Sequence, residues 1–233
     1  MVQTPLIECR GLTKDYLYIK EGPVKAVDNV DLEIRSQDFL VIVGHSGAGK
    51  TTLLNLIGGL ERPTSGSVIL DGETLEKMSD KKLASIRMKK IGFVFQGFNL
   101  LQAYTAFENI EVALAPSNMS KRERRERVSD LLQAFGLTNR ASHLPLGLSL
   151  GQQQKVAIAR ALANNPVLLL ADEPTGELDP VSASEVISKF VELNHRHKVT
   201  LIVATHGTFP YDIANRVVYM KDGRIVNQKE AGY

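Results

Sequence analysis

A glycine-rich segment that ends in a lysine and two threonines is the strongest chemical signal in the sequence. The letters GHSGAGKT, from Gly44 to Thr51, match the pattern G-x-x-x-x-G-K-[ST]. In this pattern the glycines let several backbone N–H groups turn towards one phosphate group. The lysine favours this interpretation over a plain glycine turn before a buried helix, which needs no cation. The predicted phosphate-binding residues are Gly44, His45, Ser46, Gly47, Ala48, Gly49, Lys50, Thr51 and Thr52.

The segments on both sides of this loop have the character that such a site needs. Phe39 to Val43 is a short apolar run typical of a buried strand, and apolar residues at helical spacing follow from Leu53 to Ile57. A helix that begins at the loop adds the partial positive charge of its N-terminus. We therefore expect Lys50 to reach the β and γ phosphates of ATP. Thr51 would offer its hydroxyl group to Mg²⁺, and Thr52 would help to hold the α phosphate.

A second apolar run ends in two adjacent carboxylates. Val167 to Ala171 is followed directly by Asp172 and Glu173, and neighbouring carboxylates repel each other unless a cation lies near them. We expect Asp172 to orient the water shell of Mg²⁺, and Glu173 to polarise the attacking water as a general base. A solvent-exposed strand end is the alternative. The phosphate loop elsewhere in the chain favours the catalytic interpretation.

Composition limits the classes of function. The 233 residues are 43% hydrophobic, which is enough for one large domain but not for two copies of such a domain. A net charge of +2 does not indicate a nucleic-acid partner. Cys9 is the only cysteine, so a disulfide framework and a cysteine-based zinc site are excluded, and a reducing compartment is expected. The start of the sequence lacks the pattern of a secretory signal. The apolar runs fall short of the ~20 residues that a membrane helix needs.

The order of the apolar runs predicts an α/β fold. We expect a P-loop NTPase core with a mostly parallel sheet, an N-terminal antiparallel β layer and an inserted α-helical lobe within a single domain. The core would comprise residues 1–101 and 164–233, and the lobe about 102–163. In the lobe, Ser120 and Glu123 form the pattern of a helix capping box, and the charged run 121–127 indicates a solvated helix face. The predicted core strands are Phe39 to Val43, Ile91 to Phe95, Val167 to Ala171 and Thr200 to Ala204, and those of the layer are Leu6 to Leu12, Val30 to Ile34 and Val68 to Leu70.

The segment from Leu148 to Leu162, LSLGQQQKVAIARAL, resembles the signature of ATP-binding cassette (ABC) proteins. The resemblance covers nearly the whole chain and implies roles for residues in the order expected of the family. Tyr16 would stack on adenine, and Gln96 would touch magnesium and sense the γ phosphate. Asp179 would lie in the segment that crosses to a partner subunit, and His206 would be the switch histidine.

Each of these four residues also has a simpler interpretation. Tyr18 is a rival to Tyr16, and Gln96 could merely end the strand before it. Asp179, which precedes a proline, is a good helix N-cap and could serve as both cap and contact. A single histidine at a strand end, such as His206, is usually structural. Next to a phosphate site, however, its ring can form a hydrogen bond with a γ phosphate.

The resemblance implies a dimer, homodimeric or heterodimeric, that works with a transmembrane permease subunit on the cytoplasmic side of the membrane. Each ATP would lie between the phosphate loop of one subunit and the signature loop of the other. Ser149, Gly151 and Gln152 would make the signature contacts. ATP would thereby close the dimer and hydrolysis would release it, which would power a transporter or an envelope mechanotransmission complex.

Leu150 departs from the family pattern LSGGQ, which has a glycine at this position. If the backbone there needed a positive φ, leucine would cost about 1 to 3 kcal/mol of strain. The bulk of the side chain could also push the phosphates of the partner away, so closure or hydrolysis would be slower. A native variant, an asymmetric heterodimer and an engineered change would all account for it.

Within the family, the segments around Gln96, Thr105 to Asn109 and Ala157 to Pro166 are most similar to the ATPases of lipoprotein-releasing and macrolide-exporting (LolD/MacB) transporters. One alternative is an ABC ATPase without a transport role. The sequence lacks the long coiled-coil insertion, zinc-binding cysteines or second cassette of such proteins. The other is a nucleotide-binding regulatory subunit with impaired hydrolysis, for which Leu150 is the only indication.

Overall fold

The computed structural model describes residues 4–18, 22–207 and 209–230. The strands are β1 (Ile7–Tyr18), β2 (Gly22–Ile34), β3 (Phe39–Val43), β4 (Ser65–Leu70), β5 (Glu73–Thr74), β6 (Ile91–Val94), β7 (Leu168–Asp172), β8 (Thr200–Thr205), β9 (Arg216–Lys221) and β10 (Arg224–Glu230). The helices are α1 (Lys50–Ile57), α2 (Asp80–Lys90), α3 (Ala106–Glu111), α4 (Lys121–Ala134), α5 (Leu150–Ala161) and α6 (Pro180–His195).

Six strands form the main sheet, in the order β10-β9-β3-β8-β7-β6. The five strands from β9 to β6 are parallel to their neighbours, and β10 pairs with β9 in the antiparallel sense. The predicted mostly parallel sheet is therefore confirmed. All four predicted core strands are present, with ends that agree to within one residue.

The main sheet is covered on both faces, which explains why its strands read as unbroken apolar runs. In β3, Phe39 and Val41 belong to one buried cluster together with residues of α4, α5 and α6. Leu40 and Ile42 belong to a second cluster, which includes residues of α1 and of the N-terminal strands. Because successive side chains of a strand point to opposite faces, one short segment contributes to two cores.

The predicted antiparallel layer is a four-stranded sheet in the order β2-β1-β4-β5. Its first two strands are longer than expected, since β1 continues past Leu12 to Tyr18 and β2 begins at Gly22. Apart from the buried Val27, the added residues are half-buried or exposed where the structure describes their side chains, so they lack the continuous apolar pattern on which the prediction relied. This extension pairs Tyr16 with Val24.

Between β6 and β7, residues 95–167 are all described and contain helices and turns but no strand. The predicted capping box is present, because the Ser120 hydroxyl accepts the Glu123 N–H and the Glu123 carboxylate accepts the Ser120 N–H. The charged residues of 121–127 are exposed or half-buried, as expected, while Val128 of the same helix is buried. Among the described residues, no helix combines the length and apolar character required to cross a membrane.

Candidate functional site

The glycine-rich loop connects β3 to α1 and depends on backbone conformations that suit glycine. Gly47 and Gly49 have φ angles of +79° and +96°. A Cβ atom on Gly49 would lie 2.0 Å from the carbonyl oxygen of Ala26, so strand β2 leaves no room for a side chain there. The Gly223 N–H also donates to the Ala48 carbonyl at 3.1 Å. Backbone from β2 and from the β9–β10 hairpin thus holds the loop in its shape.

Lys50 is the first residue of α1, and its side chain folds back over the loop. Its ammonium group donates to the carbonyl oxygens of Gly44 at 2.7 Å and His45 at 3.1 Å. Its Nζ atom also lies 3.8 Å from Glu173 Oε1. The residue is only 7% exposed. A buried cation held in this way provides a fixed positive charge at the centre of the loop.

Thr51 and Asp172 meet between α1 and the end of β7. The Thr51 hydroxyl donates to Asp172 Oδ2 at 2.6 Å. Burial raises the pKa of the Asp172 carboxyl above its ordinary value, and the charge of Glu173 acts in the same direction. The hydrogen bond from Thr51 and the charge of Lys50 oppose this rise only in part. A carboxylate that burial disfavours in this way gains from a nearby cation.

Glu173 follows β7 in an unusual backbone conformation, with a φ angle of +47°. This left-handed conformation costs about 1 to 3 kcal/mol in a residue other than glycine, and such strain is concentrated at functional sites. The carboxylate is buried, and its Oε1 atom lies 2.8 Å from Nδ1 of His206, which follows β8. Oε2 is also buried but has no hydrogen-bond partner. One oxygen is thus held by the histidine and the other has its lone pairs unused.

A cavity of about 380 Å³ brings most of the predicted residues together. It is lined by Tyr16, Val24, Ala26, Ser46, Gly47, Ala48, Gly49, Lys50, Thr51, Thr52, Gln96, Asp172, Glu173 and His206. Gly44 and His45 do not line it but contribute the carbonyls that bind Lys50. The rival aromatic residue, Tyr18, has a side chain outside the described part of the chain. Val24 and Ala26 were missed, because their strand lacks an apolar pattern at these positions.

The signature residues Ser149, Gly151 and Gln152 do not line this cavity, and neither does Asp179. Ser149 caps α5, and Gln152 completes a capping box with it. Asp179 caps α6 with its carboxylate, which accepts the N–H groups of Val181 and Ser182, as the cap interpretation predicted. These residues therefore lie at the N-termini of α5 and α6, outside the site formed by the phosphate loop.

The condition under which the backbone of Leu150 would be strained, a positive φ, is not met. Leu150 is the first residue of α5 and does not have a positive φ. Its side chain is 50% exposed. The position that has no room for a side chain is the next one, Gly151, because a Cβ there would lie 2.4 Å from Ser182 Oγ and 2.8 Å from Ser182 Cβ. The close contact between α5 and α6 thus involves Gly151.

Comparison with known proteins places this chain in a family. A family model described as ABC transporter matches residues 27–176. The chain belongs to the ABC transporter family. The lipoprotein-releasing system ATP-binding protein LolD of Bacteroides thetaiotaomicron is 41% identical over 94% of this chain and 99% of its own length. The macrolide export protein MacB of Rhodopirellula baltica is 43% identical over 94% of this chain, which spans 32% of that larger protein.

A solved structure shows the same ABC fold. The dimeric cassette MJ0796 of Methanocaldococcus jannaschii, in a post-hydrolysis state with ADP and Pi, has a TM-score of 0.90 and 40% identity. The match covers 97% of this chain and 100% of that one. The predicted ABC resemblance, the α/β fold class and the function of an ATP-binding, ATP-hydrolysing transporter subunit are confirmed.

Proposed function

We propose that this ABC protein binds ATP with Mg²⁺ in the cavity of the phosphate loop and hydrolyses it there, through the residues described above, to drive a membrane transporter or mechanotransmission complex. The observation that carries the proposal is the convergence of Lys50, Thr51, Asp172 and Glu173 in one cavity. These side chains come from two segments more than 100 residues apart. They offer a cation, a hydroxyl group and two carboxylates, which is what a metal-bound triphosphate and an attacking water require.

Lys50 would bind the phosphates. Its ammonium group has three N–H donors, and two of them already bind the carbonyls of Gly44 and His45. Those bonds direct the charge into the loop, so little reorganisation is needed when a phosphate oxygen arrives. The helix N-terminus, with N–H groups that have no partner within the helix, adds to the attraction.

Thr51 and Asp172 suit Mg²⁺ because they bring a hydroxyl and a carboxylate oxygen together, 2.6 Å apart, beside the loop. Mg²⁺ usually takes one or two such protein groups together with phosphate oxygens and water. Burial disfavours the negative charge of Asp172, so a bound cation would stabilise this carboxylate. Bound magnesium would neutralise the charge on the phosphates. Gln96, which lines the same cavity, would be a further contact.

Glu173 would act as the general base. With Glu173 ionised, the Nδ1–H of His206 donates to Oε1, which leaves Oε2 to accept a proton from water. As the water oxygen attacks the γ phosphorus, the bond between the γ phosphorus and the oxygen that bridges it to the β phosphate breaks, and ADP leaves. The proton from water goes to Glu173. His206 thereby holds the base in position during the transfer.

The site would be completed by a second ATPase subunit. Ser149, Gly151, Gln152 and Asp179 lie outside the cavity, and the related cassette MJ0796 is dimeric. We propose that these residues contact the nucleotide of the partner subunit in a homodimer or heterodimer. The helical segment 102–163 forms the lobe that carries the signature loop. The dimer binds a transmembrane permease at the cytoplasmic side of the membrane as a peripheral subunit.

Two variants of the purified protein test the site. Glu173→Gln should lower the rate of ATP hydrolysis by about 100-fold or more with ATP binding retained, because it removes the base. Lys50→Ala should weaken ATP binding itself. Glu126→Gln, which changes an exposed carboxylate on α4, is the control and should behave like the wild type. Turnover that survives Glu173→Gln would exclude Glu173 as the base, and ATP affinity that survives Lys50→Ala would exclude this cavity.

A further inference from the structure

Tyr16, on the wall of the nucleotide cavity, is connected to the helix that follows the phosphate loop. Its hydroxyl donates to Glu61 Oε2 at 2.5 Å. Glu61 lies just beyond the C-terminus of α1, the helix that begins with Lys50. The wall that the adenine base would face and the loop that the phosphates would occupy are therefore joined through one helix.

Asn55 holds Glu61 in a defined orientation. Its side-chain amide donates to Glu61 Oε1 at 3.0 Å. Its backbone carbonyl accepts the N–H groups of Leu60 at 2.9 Å and Glu61 at 3.3 Å. Because each carboxylate oxygen has a different partner, the group cannot rotate without losing a bond. The Glu61 carboxylate is thus a fixed acceptor for the Tyr16 hydroxyl.

Lys14 holds the same group from strand β1. Its Nζ atom lies 3.5 Å from Glu61 Oε2 and donates to the Arg62 carbonyl at 2.8 Å. The ammonium also lies 5.2 Å from the centroid of the Tyr16 ring, on the same side of the strand. Burial alone would raise the pKa of Glu61, but the hydrogen bonds from Tyr16 and Asn55 and the charge of Lys14 outweigh it and hold the pKa below its ordinary value.

We propose that Glu61 is a positioning residue for the adenine base of ATP, which it serves by fixing the ring of Tyr16 relative to the phosphate loop. This proposal rests on the ATP site proposed for the same cavity. A side chain that is already ordered loses less conformational freedom when the base binds, so the network increases affinity for the base without a direct contact.

The experiment compares ATP with inorganic tripolyphosphate, which has the phosphates but no base. Dissociation constants are measured by calorimetry for the full chain and for Tyr16→Phe, Glu61→Ala and the double variant. Glu73→Ala is the matched control, since this carboxylate belongs to the same β layer, pairs with Lys82 and lies away from the cavity. Lys50→Ala and Tyr16→Ala report on the phosphate site and on stacking.

We expect Tyr16→Phe and Glu61→Ala each to weaken ATP binding about threefold to tenfold and to leave tripolyphosphate binding unchanged. The double variant should be no weaker than the weaker single variant, because both remove the same bond. In hydrolysis assays KM should rise while kcat stays constant. If Glu61→Ala does not fold, Tyr16→Phe still tests the bond, since it removes a single oxygen atom.

Three results would overturn the proposal. The first is ATP affinity within twofold of the wild type in Tyr16→Phe and Glu61→Ala. The second is an equal loss for ATP and tripolyphosphate, which would indicate a purely structural role. The third is unchanged ATP affinity in Tyr16→Ala together with weakened ATP binding in Lys50→Ala. This would show that the base does not stack on Tyr16, although the phosphates bind at the proposed site. Full affinity of Lys50→Ala for both ligands would instead overturn the site itself, and this proposal with it.

Discussion

Replacing Leu150 distinguishes two effects that this leucine could have on the signature loop, one from the bulk of its side chain and one from its backbone conformation. Leu150 begins helix α5 without a positive φ, so its backbone carries no strain that glycine would relieve. Its exposed side chain lies beside Ser149, the cap of the signature helix. Alanine removes the bulk and keeps a good helix former, whereas glycine removes the bulk and also weakens the helix. We therefore expect bulk, and not backbone conformation, to determine the effect.

The magnitude follows from helix propensity and from the size of the chain. Glycine is less favourable than alanine by about 1 kcal/mol in a helix, and by less in its first turn. For a chain of 233 residues, 1 kcal/mol shifts the melting temperature by about 2 to 4 °C. Leu150→Gly should therefore melt up to about 4 °C below Leu150→Ala. If the backbone were strained, the order would be reversed.

Dimer closure is measured by light scattering over a series of protein concentrations with ATP, in a Glu173→Gln background. We expect Leu150→Ala and Leu150→Gly to dimerise at lower protein concentrations than the parent, and by similar factors. A gain with glycine alone would restore the backbone explanation and refute the present reasoning. The absence of any gain would show that leucine is accommodated at the interface.

Three further predictions concern stability. Gly151→Ala should lower the free energy of unfolding in urea by about 1 to 3 kcal/mol, because the new Cβ would lie 2.4 Å from Ser182 Oγ. Gly147→Ala should leave the free energy of unfolding unchanged, because a Cβ there would lie 3.8 Å from the nearest atom. Equal losses of stability in the two variants would contradict this explanation. Glu173→Gly should be about 1 kcal/mol more stable than Glu173→Ala, since both lose the side chain but only glycine suits a φ of +47°; identical stabilities would argue against strain. The pKa of Asp172 is raised by burial, so its contribution to stability is present at low pH and is lost as pH rises through that pKa. In denaturation curves Asp172→Asn should therefore gain in stability relative to the nucleotide-free wild type as pH rises above ~4, and parallel pH profiles would exclude the effect.

Several parts of the site could be predicted because their signals are local. The phosphate loop lies between a buried strand and a helix, and both elements are confirmed. The caps at Ser120 and Asp179 are also confirmed, since each depends on residues at most three positions away. Such signals act within a few residues and survive in a one-dimensional pattern. The less apolar ends of β1 and β2 had no such signal and were missed.

Contacts between distant segments were predictable only where a family pattern supplied them. The hydrogen bond from Thr51 to Asp172 joins residues 121 positions apart. Glu173 and His206 come into contact because they follow two neighbouring strands, β7 and β8. Parallel strands bring their carboxyl ends to one edge of the sheet, so the motifs implied this proximity. The distances, the burial and the unpartnered Oε2 atom follow from packing.

The sequence by itself determined the order of strands and helices, the loop that suits a phosphate and the residue types that meet around it. The tertiary structure alone decided three details: Leu150 has a helical backbone, Gly151 rather than Leu150 lies against Ser182, and Tyr16 is held by Glu61. The physical reason is that backbone conformation and close approach depend on neighbours from other elements. Those neighbours are set by how α5 packs on α6 and β1 on α1, and no short pattern records that packing.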